Sequence, residues 1–161
     1  QVVDITTCTV TKILVEYSGV SPNGLIVSAY PANLGNKIIY YETGGIEGGI
    51  VKILDMDTGA VTDIIRGGEY PSFSPDDREI VYVGKSGIYV ATITGANQRL
   101  IVPVSTSLTN SLLTPIPYFS PDGSKIVYHK CLNADCRETL DFGIFVFDLF
   151  TAGLAPRRVI F

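Results

Sequence analysis

The sequence predicts an all-β protein built from repeated four-stranded units. Two of its stretches are near copies of each other: Phe73-Ser-Pro-Asp-Asp-Arg-Glu-Ile-Val-Tyr82 and Phe119-Ser-Pro-Asp-Gly-Ser-Lys-Ile-Val-Tyr128. A weaker third copy, Gly35-Asn-Lys-Ile-Ile-Tyr40, precedes them at a similar spacing. Self-similarity with a period of about 40 to 50 residues is typical of repeat architectures. No segment combines the helical period of about 3.6 with helix caps, so strands are the expected element throughout.

Residues 1–24 do not fit the repeat, and we expect them to form a β-rich arm or a partial unit. Val2–Val10 and Lys12–Tyr17 are rich in Val, Ile and Thr, as strands are. Pro22-Asn-Gly24 is a turn signal, because Gly adopts the positive φ that such turns need.

The repeat divides the remaining chain into units at residues 25–66, 67–103 and 104–161. The predicted strands of the first unit are Leu25–Tyr30, Lys37–Glu42, Gly49–Leu54 and Val61–Ile65. Those of the second are Tyr70–Phe73, Glu79–Val83, Gly87–Ile93 and Gln98–Val102. Those of the third are Ile116–Phe119, Lys125–Lys130, Gly143–Phe150 and Arg157–Phe161. The third strands of the units align at Gly49-Ile-Val, Gly87-Ile-Tyr and Gly143-Ile-Phe.

The turn between the first and second strands has a specific chemistry. Ser74-Pro-Asp-Asp77 and Ser120-Pro-Asp-Gly123 each place Pro where a φ near −65° is needed. The Asp that follows can hydrogen-bond to the local backbone. Asp57-Thr-Gly59 and Thr94-Gly95 mark the tight connection between third and fourth strands.

The second and third strands are apolar on both faces, as in Ile38–Tyr41, Ile80–Val83 and Ile144–Phe147. A strand with one face in water alternates apolar and polar residues instead. Sheets covered on both faces by other sheets give such runs, which favours a radial stack of four-stranded sheets.

The two near copies resemble the TolB-type, WD40-like β-propeller repeat. That repeat also occurs in the propeller domains of prolyl-oligopeptidase-like peptidases and in oligogalacturonate lyases. The resemblance covers residues 25–161, and it departs in the first unit, where Tyr30-Pro-Ala-Asn-Leu replaces Phe-Ser-Pro-Asp. It implies propeller blades of four antiparallel strands, in a class that commonly has six blades. It also implies a structural role for the motif residues, which are Phe73, Ser74, Pro75, Asp76, Tyr82, Phe119, Ser120, Pro121, Asp122 and Tyr128.

Three blades are too few to close a ring, since propellers have about four to eight. Each terminal blade would leave a largely apolar face in water, which soluble monomers rarely do beyond a few hundred Å². We therefore expect an incomplete ring that is completed by more of the same chain, by self-association or by a protein partner.

Composition narrows the function. The 161 residues are 46% hydrophobic and 17% charged, with a formal net charge of −4, so nucleic acid is not an expected partner. No apolar run is long enough for a transmembrane segment. The chain begins with Gln, so it is either a fragment or the product of signal-peptide removal. Together with the use of cysteine, this favours a periplasmic or extracellular location.

Cys131 and Cys136 are predicted to form a loop disulfide, with free thiols or a metal site as the alternatives. Cys8 would then be buried or paired between chains. Asp55-Met-Asp57-Thr-Gly59, with Asp63 nearby, resembles a calcium loop but lacks the distal Glu, and turn capping is the preferred interpretation. His129, the only histidine, has no nucleophile motif beside it. We expect no catalytic residue, cofactor or metal ligand.

Two loops are candidate interaction sites, because loops carry function on rigid scaffolds. One holds Leu108, Leu112 and Leu113, which could instead pack between blades, and the other holds Arg137, Glu138 and Asp141. The preferred function is a non-catalytic protein-interaction scaffold in an exported multi-subunit assembly. The alternatives are a structural subunit of a cell-surface layer or filament, and an accessory propeller of a hydrolase or lyase whose catalytic residues lie elsewhere.

Overall fold

A computed structural model describes residues 2–4, 9–12, 26–45, 48–103, 114–131, 142–151 and 156–159. The described part is entirely β-structure and contains no helix. Its three larger sheets have four strands each, and every strand pairs antiparallel with the next one along the chain. The all-β, four-stranded prediction is therefore confirmed, and the described sheets do not close into a ring.

The N-terminal arm contains a hairpin of β1 (Val2–Asp4) and β2 (Thr9–Lys12). The β-rich piece Val2–Val10 thus contains β1 and the beginning of β2, which pair antiparallel. Residues 13–25 lie outside the described part.

The first blade consists of β3 (Ile26–Pro31), β4 (Lys37–Gly45), β5 (Gly48–Asp55) and β6 (Val61–Arg66). The second consists of β7 (Glu69–Phe73), β8 (Glu79–Gly84), β9 (Gly87–Thr92) and β10 (Arg99–Pro103). The third consists of β11 (Pro117–Phe119), β12 (Lys125–Cys131), β13 (Phe142–Asp148) and β14 (Arg157–Val159). Their bounds differ from the predicted strands by a few residues at the ends. β13 stops two residues short of the predicted Phe150, and Phe161 lies outside the described part.

The second blade is packed on both faces. In β8, Ile80 and Tyr82 join a cluster with Ile39 and Val51 of the first blade. Val81, on the opposite face, joins a second cluster with Ile126 and Tyr128 of the third blade. The other buried members of that cluster are Ile88, Val90 and Val102 of the second blade. Successive strand residues point to opposite faces, so one apolar run serves two interfaces.

The strand pairing fixes which residues are equivalent between blades. Tyr40, Tyr82 and Tyr128 are opposite Lys52, Tyr89 and Phe145, respectively. Val51, not Ile50, therefore occupies the position of Ile88 and Ile144, so the predicted alignment at Gly49 was wrong by one residue. The reason is an irregularity between Glu42 and Gly45, where β4 has one residue more than β5.

The same positions show how the first blade differs. The rings of Tyr82 and Tyr89 stack at 5.5 Å, and those of Tyr128 and Phe145 at 5.6 Å. In the first blade Lys52 replaces the second ring and pairs with Glu42 at 2.8 Å and Asp63 at 3.6 Å. The face of the first blade that carries Tyr40 and Lys52 is therefore partly ionic.

The Ser-Pro-Asp turns are closed by their own side chains. The hydroxyl of Ser74 donates to Asp76 at 2.7 Å and accepts the N–H of Glu79 at 2.9 Å. Ser120 and Asp122 repeat the arrangement, with the N–H of Lys125 donating to the Ser120 hydroxyl at 2.9 Å. The hydrogen bond from Ser120 holds the pKa of Asp122 well below its usual range. The ladder places Pro31, not Tyr30, at the position of Phe73 and Phe119.

Candidate interaction surface

The outer face of the third blade carries apolar side chains that are exposed or half-buried. Residues directly opposite each other in an antiparallel pair share a face. Across the sheet, Val127 lies between its pairing partners Tyr118 and Val146. In the same way, Ile144 lies between its pairing partners His129 and Val159. We call these six residues the open face. The reverse face of the same sheet, with Ile126 and Tyr128, packs on the second blade.

Equivalent residues of the second and third blades differ sharply in exposure. Val81, Ile88 and Val90 of the second blade are each 0% exposed, because the third blade covers them. At the matching positions of the third blade Ile144 is 44% exposed, while Val127 and Val146 are only half-buried. The open face thus has the chemistry of a blade interface without a described blade against it.

Charged residues border the open face. A groove of about 370 Å³ runs along its edge, lined among the described residues by Lys125, Val146, Asp148, Thr151, Arg157, Arg158 and Val159. Lys125 Nζ and Asp148 Oδ2 are 4.0 Å apart. The backbone N–H groups of Phe150 and Thr151 donate to Asp148, and the first of these bonds helps to lower the pKa of that carboxyl. An apolar centre with a polar rim is the usual anatomy of a protein interface.

His129 lies on the open face, at the position that Val83 occupies in the second blade. Burial lowers the pKa of the imidazole, and a hydrogen bond with the backbone of Thr114 opposes that shift. The side chain is therefore neutral at pH 7, which suits an apolar surface.

A second concave site lies where the three sheets converge at their first strands. Tyr30, Ser72 and Tyr118 occupy equivalent positions of β3, β7 and β11, opposite Ile39, Val81 and Val127. The hydroxyls of Tyr30 and Tyr118 are 2.8 Å apart, and their rings meet edge to face with centroids at 5.8 Å. The described residues around the resulting pocket of about 210 Å³ are Tyr30, Pro31, Asn33, Ser72, Phe73, Tyr118 and Phe119.

Asp77 joins the first blade to the second. Its carboxylate accepts hydrogen bonds from the backbone N–H groups of Asn33 at 2.8 Å and Leu34 at 2.7 Å. Burial works against its ionisation, but the bonds from Asn33 and Leu34 outweigh it and lower the pKa of Asp77. The residue holds a φ of 55°, where the third blade has Gly123 at 70°. A non-glycine residue in this region costs energy, and the hydrogen bonds to the neighbouring blade offset that cost.

The acidic turn that begins at Asp55, whose sequence resembles a calcium loop, is stabilised by hydrogen bonds within the protein. Asp55 accepts hydrogen bonds from Lys37 Nζ at 2.7 Å and from the N–H of Thr58 at 3.0 Å. Within the described residues, no group of three or more His, Cys, Asp and Glu side chains is placed to hold a metal ion. The same part of the chain has no helix that could cross a membrane.

The loop residues predicted as interaction sites lie outside the described part: Leu108, Leu112, Leu113, Arg137, Glu138 and Asp141. Cys8 and Cys136 lie there as well, and only the backbone of Cys131 is described, so the disulfide stays a prediction. The tyrosine pair and the individual residues of the open face were missed as sites. An apolar face in water was expected on each terminal blade: the third blade has one, whereas Tyr40 and Leu54 on the terminal face of the first blade are only 3% and 2% exposed.

No protein-family model and no curated protein sequence matches the chain. Solved structures, in contrast, do match the chain. A protein described as TolB from Agrobacterium tumefaciens matches with a TM-score of 0.62 and 21% identity, over 82% of this chain and 49% of its own. TolB from Acinetobacter baumannii matches with a TM-score of 0.64 and 19% identity, over 86% of this chain and 33% of its own.

An oligogalacturonate lyase in complex with manganese matches with a TM-score of 0.64 and 16% identity, over 97% of this chain and 46% of its own. The chain therefore spans half or less of each of these structures. At such identities the likeness is one of fold, which does not fix activity. Together with the three four-stranded sheets, it shows that this chain has the fold of a TolB-like β-propeller, of which it supplies three blades.

Proposed function

We propose that this chain is a non-catalytic protein-interaction scaffold whose open face is covered by a further blade in a multi-subunit assembly. One observation carries the proposal: Ile144 is 44% exposed, whereas its equivalent Ile88 is 0% exposed under the neighbouring blade. Burying apolar surface contributes about 25 cal/mol per Å², so covering this face favours association.

The chemistry of the required partner follows from the interface that the chain already contains. The third blade offers Tyr128, Phe145 and Phe147 to the second blade, whose facing residues are small and aliphatic. The open face repeats that aliphatic surface with Val127, Ile144 and Val146. A partner blade should therefore present aromatic side chains to it, with acidic groups near Arg157 at the rim.

The two ends of the chain do not offer the same chemistry. Tyr40 and Leu54, on the other terminal face, are 3% and 2% exposed, and Lys52 and Glu42 form an ion pair beside them. If copies joined head to tail, the first blade of one copy would pack on the third blade of the next and would place those charges against Ile144. In purified protein a second copy would instead cover the open face by isologous pairing of two third blades, the usual arrangement of homodimers.

Sedimentation of the purified chain tests the proposal. We expect association that grows with concentration and is abolished in Ile144→Asp. Leu100→Asp is the matched control, because Leu100 is also 44% exposed but lies on β10, away from the open face. A folded wild-type monomer at every concentration, or equal effects of both variants, would contradict the proposal.

The proposed assembly is exported. The composition and the spacing of Cys131 and Cys136 support this, since disulfides persist in oxidising compartments. Protein recovered from the native source should lack free thiols at these two positions unless it is first reduced. Rapid labelling of both cysteines before reduction would argue against export.

An accessory role in an enzyme is the second candidate, favoured by the match to an oligogalacturonate lyase. In this role, as in the scaffold role, a partner covers the open face, but here the partner must carry the reacting groups. A partner that co-sediments with the chain and is active only in the complex would favour it.

A further inference from the structure

We infer that a second copy of this chain covers the open face, related to the first by a two-fold axis that runs along the strands between β12 and β13. The inference rests on the proposed function, because it uses the same face, and it adds the identity of the partner and the residues that meet. Two observations carry it: the register of the third sheet and the positions of the charged residues on that side of the sheet.

The strand order of the third blade makes such an axis possible. The order is β11-β12-β13-β14, so the line between β12 and β13 leaves two strands on each side. A two-fold axis along that line places β12 of one copy over β13 of the other, and β11 over β14. The strands of the two sheets are then aligned, as in sheet packings whose strand directions differ by about 30° or less. Residues that pair across the ladder within one copy therefore face each other between copies.

The charged ends of the two central strands are complementary under this axis. Lys125 of β12 pairs with Asp148 of β13, and both lie on the same side of the sheet as Val127 and Val146. Across the axis, Lys125 faces the partner's Asp148, and Asp148 faces the partner's Lys125. Within one copy the two charged groups are 4.0 Å apart and both remain partly exposed. A second copy would thus add two contacts between opposite charges at the rim of the interface.

The apolar residues of the open face match each other in the same way. Val127 pairs with Val146, so it faces the partner's Val146, and contact between them removes apolar surface from water. His129 pairs with Ile144 and faces the partner's Ile144. The face is therefore self-complementary, with apolar groups against apolar groups and charges against opposite charges, as an isologous interface requires.

The outer strands add a third kind of contact. Tyr118 of β11 and Arg157 of β14 lie in one row across the sheet, with Val127 and Val146 between them. The axis places Arg157 near the partner's Tyr118, whose side chain is 41% exposed. A guanidinium group is attracted to the face of an aromatic ring. The Tyr118 ring of the second copy is then the partner group for Arg157 at the rim.

The same charges disfavour the other simple orientation. A two-fold axis across the strands, through the centre of the face, would place each strand over its own copy. Arg157 would then face the partner's Arg157, and Asp148 would face the partner's Ile144. Like charges brought together at an interface are costly, and so is a carboxylate that loses water against an apolar group. The positions of the charges therefore select the axis along the strands.

Complementation between two charge-reversed variants tests the inference. Lys125→Asp places aspartates against each other across the axis, and Asp148→Lys does the same with lysines. Each variant alone should therefore self-associate about tenfold more weakly than the wild type, or weaker still. An equimolar mixture restores both contacts between opposite charges and should associate within about threefold of the wild type, as measured by sedimentation. Lys85→Asp is the charge-matched control, because Lys85 is exposed in the turn between β8 and β9, and it should associate like the wild type.

A second pair of variants serves if Asp148→Lys loses the circular dichroism of the wild type. Val127→Lys and Val146→Asp place opposite charges at facing positions in the centre of the open face. Their mixture should associate at least about tenfold more tightly than either variant alone.

Several outcomes would overturn the inference. One is a mixture that associates no more tightly than the better of its two components. Another is wild-type association that continues beyond the dimer, which a head-to-tail contact would produce. A third is a different protein from the native source that binds the open face in a one-to-one complex and excludes the second copy. Loss of association in Ile144→Asp without complementation of the charged variants would reject this axis and leave the proposed function in place.

Discussion

The second and third blades have the same four strands and the same Ser-Pro-Asp turn. Their forward faces, which point away from the preceding blade, differ in environment; that of the third blade is the open face. The forward face of the second blade, with Val81, Ile88 and Val90, is fully buried under the third. The forward face of the third blade places the same kinds of residues at the same positions and leaves Ile144 44% exposed. An apolar residue in a repeat therefore has no fixed burial of its own. Its energetic role depends on whether another blade follows.

The largest expected effect separates Ile88 from Ile144. Ile88→Ala should lower the free energy of unfolding by about 2–5 kcal/mol, because it opens a cavity between two blades. Ile144→Ala should lower it by about 1 kcal/mol or less, since the side chain is already partly in water. Urea denaturation of both variants, below the concentration at which the chain associates, measures the difference. Equal losses would show that the third blade is covered as the second is.

The second-largest expected effect is a difference in stability cost between substitutions at the two junctions of the second blade. Asp77→Gly keeps the positive φ but loses the hydrogen bonds to Asn33 and Leu34, and should cost about 1–2 kcal/mol. Gly123→Ala, at the other junction, should cost about 1 kcal/mol through its φ of 70° alone, because the nearest atom to an added Cβ is Pro75 Cδ at 3.6 Å. Thermal unfolding of the two variants compares the junctions. A neutral Asp77→Gly would mean that its bonds do not hold the first two blades together.

Acid should weaken the first junction. The folded-state pKa of Asp77 is lowered, so its contribution is complete above its unfolded-state pKa of about 3.9 and is lost as the pH falls through the folded value. The wild type should therefore lose more thermal stability than Asp77→Asn between pH 5 and pH 2. Other lowered carboxyls, such as Asp122, act with the same sign in both proteins. Parallel curves for the two proteins would contradict the assignment.

The smallest expected effect comes from His129 on the open face. Burial lowers its folded-state pKa, so the unfolded chain binds more protons below about pH 6.5 and stability falls as the pH drops from 7 to 5. His129→Val, which introduces the residue of the second blade, should remove a Tm decrease of about 1–2 °C over that range. Glu69, whose pKa is raised by burial, acts with the opposite sign and is unchanged in the comparison. No difference between the two pH profiles would show that this imidazole titrates as it does in the unfolded chain.

The strands were predictable because their signals are local. Ser74 and Asp76 close a turn with their own side chains, and the short apolar run that follows, rich in β-branched and aromatic residues, predicts a strand buried on both faces. The register of β5 was not predictable, because one additional residue in β4 shifts the pairing without altering the apolar pattern. The Tyr30–Tyr118 contact joins residues of different blades, and it depends on the short Ser72 between them. This contact depends on residues from all three blades, so it cannot be predicted from the sequence of a single repeat.

The pairing of every strand with its neighbour in sequence also bears on how the chain acquires its structure. Contacts between residues close in sequence form quickly, and a nascent chain folds from its N-terminus as synthesis proceeds. Each blade could complete its hydrogen bonding before the next one leaves the ribosome, and each newly made blade would then cover the forward face of the one before it. The last blade has no later segment to do so within these residues. In the proposed assembly, binding of the partner would therefore be the step that buries this last apolar face, and it would come after all three blades have formed.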